Sequence, residues 1–419
     1  MSPVRPTVMV IGRRLAAEDH QLRDFLTRSA QPFQWLDAES PEAQELLGRH
    51  RAGDAALPVV IEHDATVIAA ASPQRLAAAW RMTDAPQRSD YDLVIVGAGP
   101  AGLAAAVYAA SDGLSTLVVE RDLPGGQASH TSLIENFFGF PGGIGGAELA
   151  RLAGRQAESF GAELVLLGGV TSSTHGPAGP FAVEIAGGHE VSARTMIAAP
   201  GMDWRRMEIE GLGELLGRGV YYGAGRSEAA QCGGDPVVVV GAGNSAGQAV
   251  MNLGNAGANV TMLVRGDSLA KSMSAYLIER IEAHPLIEVR LRTQLTGMHA
   301  DDSGELAAIT TTAGEMAARA LFLCLGGVPR TGWAADHAIG TDPGGFLLTG
   351  PDLLTDGRRP EGWPLARDPL ALETSVPGLF AAGDARSGSI KRVAGAVGEG
   401  AMACALVHRR LDELQLGRP

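Results

Sequence analysis

The 419-residue chain is poor in what several functional classes require. Aromatic residues make up 5%, too few for the stacking platforms that bind single-stranded nucleic acid. A formal net charge of −13 also repels a polyanion, so nucleic acid is excluded as a partner. Cysteine is scarce: Cys232, Cys324 and Cys404 stand far apart and form no CxxC, leaving neither a disulfide framework nor a zinc-ligand spacing. No stretch reaches the ~18 apolar residues of a membrane span. The opening residues, MSPVRPTVMVIGRR, lack the apolar core of a signal peptide. A soluble, cytoplasmic protein without a membrane partner or a metal site is expected.

Glycine is plentiful. The 56 glycines come to about 13% of the chain, against a usual ~7%. Such an excess predicts tight turns and close backbone approaches, as phosphate-cradling loops need. With 45% hydrophobic and 19% charged residues the chain can bury real cores, and its length suggests about three domains.

A polar stretch at 83–90 separates two textures. Before it, in residues 1–82, the pattern predicts a strand at 7–12, a helix at 18–30, a strand at 32–36 and a helix at 41–50. A hairpin at 57–62 and 66–71 and a helix at 73–80 follow. This order resembles a thioredoxin or glutaredoxin fold, and Pro58 sits where that family keeps its cis-proline. The loop that would carry CxxC instead reads Gly12-Arg13-Arg14-Leu15-Ala16-Ala17. With no thiolate to attack, thiol chemistry is excluded here, and the domain reads as a degenerate docking or structural unit.

Beyond the linker, a buried-strand run at 91–96 leads into Gly97-Ala98-Gly99-Pro100-Ala101-Gly102 and an alanine-rich helix. The next strand, 115–119, ends in Glu120. This is a dinucleotide fingerprint in its required βαβ context. Gly97 permits the tight turn, Gly99 lets backbone approach a pyrophosphate, and Gly102 lets helix and strand pack. Glu120 can accept hydrogen bonds from a ribose, and the helix N-terminus favours phosphate.

A second fingerprint follows the strand at 236–240: Gly241-Ala242-Gly243-Asn244-Ser245-Ala246. Here the following strand, 259–264, ends not in an acid but in Arg265, with Lys271 nearby. Those cations welcome a 2′-phosphate, so NADPH is preferred over NADH. Two such folds suggest one for FAD and one for a nicotinamide cofactor. A short apolar strand ending in Gly383-Asp384 fits a carboxylate placed against a flavin.

From these residues onward the chain resembles the low-molecular-weight thioredoxin reductase family of flavoproteins. The likeness rests on GAGPAGLAAAVYAA, on Gly125-Gly126-Gln127, and on IENFFGFP at 134–141. It continues in GRGVYY at 217–222, LFLCLGGVPRT at 321–331 and ETSVPGLFAAGDAR at 373–386. The resemblance implies an α/β protein with two Rossmann-like three-layer dinucleotide-binding domains beside the N-terminal thioredoxin-like domain. An FAD domain is split into 91–207 and 330–419, with an NADPH domain at 208–329 between its halves. A homodimer is implied as well. Gln127 and Asn136 are expected near FAD, Asp384 on its ribityl chain, and Lys391, Arg392 and Val393 where the family begins its C-terminal helix.

The departure falls on the chemistry. The family places its redox CxxC, followed by an acid, directly after the GRGV turn. This chain has Gly223 and Arg226 at the cysteine positions and Ser227 in place of the acid. Neither Gly223 nor Arg226 can form a mixed disulfide. Arg226, Tyr222 and His130 become the candidate pocket residues, Arg226 for an anionic group and His130 as a general acid. The leading expectation is an NADPH-dependent FAD oxidoreductase acting on a small organic substrate or a non-disulfide redox acceptor. Alternatives are a ferredoxin-type or external-dithiol reductase, a flavin oxidase or dehydrogenase reduced by its own substrate, and a non-catalytic nucleotide-dependent sensor.

Overall fold

The computed structural model describes residues 6–82, 85–175, 180–223 and 226–416, the side chains of residues 226, 227 and 416 excepted. The N-terminal elements run β1 (Val8–Gly12), α1 (Ala17–Arg28), β2 (Phe33–Asp37), α2 (Pro41–Arg49), β3 (Val59–Ile61), β4 (Val67–Ile68) and α3 (Pro73–Ala79). Ser40 and Ser72 start α2 and α3: each hydroxyl accepts a backbone N–H of the first turn, and a proline occupies the first helical position. The sheet order is β2-β1-β3-β4. β2 runs parallel to β1, while β3 and β4 are antiparallel. This is the connectivity of the thioredoxin-like arrangement, and the Leu57–Pro58 bond is cis. Ile11, Leu36, Leu47, Val59 and Ile61 fill the core.

The chain continues through β5 (Asp90–Val96), α4 (Pro100–Ser111), β6 (Thr116–Val119), α5 (Gly146–Ser159) and β7 (Glu163–Val165). The meander β8 (Val170–His175), β9 (Phe181–Ile185) and β10 (His189–Ala198) follows, then the short β11 (Met202–Trp204). Next come α6 (Leu212–Leu215), β12 (Val220–Tyr222), α7 (Arg226–Ala229), β13 (Pro236–Val240), α8 (Asn244–Asn255), β14 (Asn259–Val264), α9 (Ala275–Glu282) and β15 (Ile287–Leu291). A small antiparallel sheet of β16 (Leu295–Ala300), β17 (Leu306–Thr311) and β18 (Gly314–Ala317) precedes β19 (Ala320–Leu323). Last are β20 (Gly327–Pro329), β21 (Leu379–Ala381) and α10 (Val393–Leu416).

These elements form two compact units. One comprises residues up to 80, 130–133 and 204–326; the other comprises 81–129, 134–203 and 327 onward. In the second unit, β7-β6-β5-β10 continues into β9-β8, and β21 adds to β10. β5, β6, β7, β10 and β21 are parallel, as buried α/β strands are. Helices α4 and α10 pack on one face around Leu93, Ile95, Leu103, Phe380 and Val407. In the first unit, β12-β19-β13-β14-β15 is wholly parallel. Its strands bury Val237, Val239, Met262 and Phe322 against α8 and α9. Residues up to 80 fall in the same compact unit as 204–326.

Candidate functional site

In the second unit, the parallel pairing of β5 with β6 brings the first fingerprint beside Glu120. The N–H of Ala98 donates to Glu120 Oε2 at 2.7 Å, and that of Asp122 donates to Oε1 at 3.0 Å. Burial pushes the Glu120 carboxyl above its usual range, with these two N–H groups pulling the other way. Gly97 has φ +104°, and a Cβ there would lie 2.3 Å from the Ala199 carbonyl oxygen. A Cβ at Gly102 would lie 1.9 Å from the Gly97 carbonyl oxygen, so only glycine lets α4 sit on the turn. A Cβ at Gly99 would meet nothing within 4 Å. That open cradle lies at the N-terminus of α4, which Pro100 and Ala101 begin, and it fits a pyrophosphate.

A cavity of ≈ 230 Å³ opens beside Gly97 and Glu120, with Arg121, Pro200, Arg330 and Trp333 among its walls. Arg121 and Arg330 both pair with Asp203, at 2.7 and 2.6 Å. Sequence reading gave no role to Arg121, Trp333 or Arg330, although Arg330 stands in the quoted LFLCLGGVPRT. No local spacing marks them.

Two further segments reach this fingerprint. The N–H of Gly125 donates to the Ala98 carbonyl at 2.7 Å, and a Cβ on Gly126 would be 3.5 Å from Gly99 Cα. Gln127 spends its amide donor on the Met202 carbonyl, at 3.0 Å, and Asn136 is exposed. Two residues beyond the end of β21 comes Gly383, where a Cβ would touch that of Ala101 at 2.9 Å, so Asp384 arrives at the start of α4. Its carboxylate makes no hydrogen bond among the described residues, and burial pushes it up. Such a half-buried, unspent acceptor fits a hydroxyl-bearing ligand. Lys391 donates to the Asp384 carbonyl at 2.6 Å and lies 4.2 Å over the Phe346 ring. Arg392 is exposed, and Val393 begins α10. Glu399 on α10, which sequence reading missed, accepts the Gly383 N–H at 2.7 Å and pairs with Arg386.

In the first unit, β13 and β14 pair in parallel and deliver the second fingerprint next to Arg265. A Cβ at Gly241 would lie 2.5 Å from the Cys324 carbonyl oxygen. Gly243 caps α8, Ser245 is exposed, and Ala246 is fully buried. Asn244 Oδ1 accepts the Ser274 N–H at 2.8 Å, tying the fingerprint to the loop before α9. Arg265 is exposed and has no carboxylate partner among the described residues, whereas Lys271 is paired with Asp267 at 2.8 Å.

The segment that departs from the family pattern follows β12. Gly223 is buried with φ +75°, and a Cβ there would meet the Trp204 ring at 3.3 Å. Residues 224 and 225 and the side chain of Arg226 lie outside the described residues, and so does the role expected of Arg226. The Tyr222 hydroxyl accepts the Met207 N–H at 3.1 Å. Tyr221 is buried between the rings of His20 and Phe322, at 4.7 and 5.2 Å.

The N-terminal domain packs on two neighbours of this segment, Tyr221 and α7. Helix α1 lies against α7, where Glu228 is buried. His20 Nδ1 is 3.0 Å from Glu228 Oε1, and Arg23 Nη2 donates to Oε2 at 3.4 Å. Arg23 is fully buried, its guanidinium 4.5 Å from the Trp35 ring. Arg14 pairs with Asp235. His130 is turned to the same domain: its Nδ1 lies 3.5 Å from Asp24 Oδ1, and its ring meets Trp204 edge-on at 5.8 Å. Burial pushes the Asp24 carboxyl up, but the hydrogen bond and charge of His130, with Arg28 and His20, outweigh it and hold it at about 2. Burial likewise opposes ionisation of Glu228, yet His20 and Arg23 hold it below the usual range.

All three cysteines are free and buried. Burial pushes the thiols of Cys232, Cys324 and Cys404 up to about 12, so each is protonated at neutral pH. Sequence spacing predicts no metal-ligand cluster, but the packing of α10 on α4 does gather Asp112, Cys404 and His408. His408 Nε2 lies 3.2 Å from Asp112 Oδ2 beside the neutral thiol. Among the described residues, no helix is long and apolar enough to cross a membrane.

Comparison with known proteins locates this geometry. Residues 91–400 match the family described as pyridine nucleotide-disulphide oxidoreductase. The chain is 32% identical over 330 residues to the thioredoxin reductase of Bacillus subtilis (strain 168), covering 78% of this chain and 96% of that protein. It is 31% identical over 346 residues to the bifunctional thioredoxin reductase/thioredoxin of Mycobacterium leprae (strain TN), covering 79% and 68%. Among solved structures, thioredoxin reductases of T. acidophilum and Lactococcus lactis (the latter in the FR conformation) each superpose with a TM-score of 0.66. Their identities are 26% and 28%, and each comparison covers 77% of this chain and 99% of the other.

Proposed function

From the premise that this chain belongs to the pyridine nucleotide-disulphide oxidoreductase family, we propose that it oxidises NADPH through FAD and delivers the electrons to an acceptor that is not a disulfide. FAD and NADPH are the cofactors of the thioredoxin reductase-like members. Held by the residues named below, FAD would supply hydride acceptance from NADPH and onward two-electron transfer.

The protein's own residues supply the binding. We assign 91–207 and 330–419 to FAD and 208–329 to NADPH. Gly97, Gly99 and the N-terminus of α4 cradle the pyrophosphate, and Glu120, held by the Ala98 and Asp122 N–H groups, receives the ribose. The unspent Asp384 carboxylate suits a ribityl hydroxyl. Gly241 to Ala246 and α8 hold the second pyrophosphate. Arg265, exposed and without a carboxylate partner among the described residues, takes the 2′-phosphate.

The observation that carries the non-disulfide reading is the placement of the thiols. Gly223 and Arg226 stand where a redox pair is expected, and the three cysteines lie elsewhere, buried and protonated. A protonated, inaccessible thiol is neither nucleophile nor leaving group. A homodimer is proposed on the family likeness, and three free thiols suit the reducing cytoplasm.

The test is NADPH consumption with two acceptor classes. Turnover with a quinone or ferricyanide and none with oxidised thioredoxin or a small disulfide is the expected result. Disulfide-dependent turnover sinks the reading.

A further inference from the structure

We propose that the place where the C-terminal end of α4 meets α10 is a zinc site, with Cys404, His408 and Asp112 as its ligands. All three lie within one compact unit, and the site stands apart from the path of the electrons.

The sequence leaves these donors little freedom. Cys404 and His408 stand one helical turn apart on α10 and so share a face. That face packs on α4: Cys404, Val407 and Leu411 belong to the same core as Ala109 and Ala110. Helix α4 ends at this contact. The N–H groups of Gly113 and Leu114 donate to the Ala110 and Ala109 carbonyls, both at 3.0 Å, and Gly113 takes φ +86°. This glycine turn holds Asp112 at the C-cap of α4. The ligands therefore rise from two packed helices, which position donor atoms better than loops do.

The donor atoms all lie within 4.8 Å of one another. His408 Nε2 and Asp112 Oδ2 are 3.2 Å apart, and two such ligands of a tetrahedral zinc ion stand about 3.4 Å apart. A thiolate belongs about 3.6 Å from each, so no more than about 1.2 Å of closure is needed. Cys404, 1% exposed, forms the floor. The His408 and Asp112 side chains, 36% and 51% exposed, form the rim. An ion can enter between them from solvent, and water can complete its fourth position. Ligation exchanges the Cys404 S–H bond for an S–Zn bond, and the proton leaves to solvent.

The donor set selects the ion. Thiolate, imidazole and carboxylate together suit Zn²⁺, whereas Mg²⁺ and Ca²⁺ take oxygen ligands. Position adds to the attraction: the C-terminal end of α4 is the negative pole of its dipole, and the Asp112 carboxylate there favours a cation. Bound zinc would tie α10, whose Glu399 accepts the Gly383 N–H, to the far end of the helix that begins at the pyrophosphate cradle.

The test uses the tag-free, full-length holoprotein, stripped with a chelator and titrated with Zn²⁺ against a chromophoric competitor. One Zn²⁺ per chain is expected. His408→Ala and Asp112→Asn, both at the surface, should each weaken binding by at least about tenfold. Co²⁺ in place of zinc identifies the ligands. Tetrahedral bands should appear at longer wavelength than those of the flavin, with a thiolate charge-transfer band that Cys404→Ser abolishes. Zinc uptake undiminished in either surface variant would put the ion elsewhere and overturn the proposal. So would no uptake by the parent protein, which would leave His408 and Asp112 as a plain ion pair. Should Cys404→Ser fail to fold, the parent protein still decides, because a Co²⁺ spectrum without the charge-transfer band would refute thiolate ligation.

Discussion

Arg23 on α1, with no solvent exposure, donates through Nη2 to Glu228 Oε2 on α7 at 3.4 Å, and Nε lies 3.5 Å from Oε1. The two residues are 205 positions apart, and they join the cysteine-less domain to the nucleotide domain. Removing one member of a buried pair leaves the other charge uncompensated. Glu228→Ala should therefore destabilise the first unit by about 3–5 kcal/mol. Glu228→Gln, which keeps one acceptor, should cost less. Thermal or urea unfolding checks both, and a change below about 0.5 kcal/mol for Glu228→Ala would place the pair among solvated contacts.

The acid dependence has a definite sign. Asp24 and Glu228 both ionise more readily in the folded chain than when free. The stability they contribute is fully present above the ordinary carboxylate range, at about pH 4–5. For Asp24 it is lost progressively as pH falls toward its folded value of about 2. Protection of the α1 amides, relative to their intrinsic exchange at each pH, should fall over that window. Asp24→Asn should remove its share of the pH dependence, and an identical acid profile in that variant would refute the assignment.

Gly97 and Gly99, two positions apart, should respond differently to a single methyl group. Gly97→Ala forces a Cβ to 2.3 Å from the Ala199 carbonyl oxygen at φ +104°, so both stability and flavin content should fall. Gly99→Ala meets no protein atom within 4 Å, so melting of the flavin-free protein should be unchanged while flavin retention drops. Absorbance near the flavin band, read alongside melting of the apoprotein, separates the two. Full flavin content in Gly99→Ala would place the pyrophosphate elsewhere.

For the nicotinamide cofactor, Arg265→Ala should lower kcat/KM for NADPH by about 10- to 100-fold, the worth of a charge-assisted hydrogen bond. NADH should be little affected. Lys271→Ala should change the preference far less, because Lys271 already pairs with Asp267. Equal effects on both cofactors would remove Arg265 from the 2′-phosphate site.

Much of this architecture is legible in the sequence. The strands at 236–240 and 259–264 announce themselves through apolar runs broken by glycine, and the structure has both at those limits. Glu120 was legible because its position follows from the βαβ repeat itself. The docking of α1 was not. His20, Arg23 and Asp24 read as the solvated face of an amphipathic helix, and their partners Glu228 and His130 lie more than a hundred residues away. Charged side chains carry no periodic sign that they will be buried. Glu399, which holds the Gly383 loop, was missed for the same reason, as was the convergence of Asp112 and His408 on Cys404.

The central claim is that electrons pass from NADPH to FAD with no disulfide in between, and counting them tests it most directly. In an anaerobic titration with NADPH, a chain holding FAD alone must reach full bleaching at one equivalent per flavin, with no new thiols detected. A chain relaying through a disulfide must absorb a second equivalent and release a pair of thiols. One equivalent is the predicted result; two equivalents with new thiols, or no bleaching at all, would contradict the account.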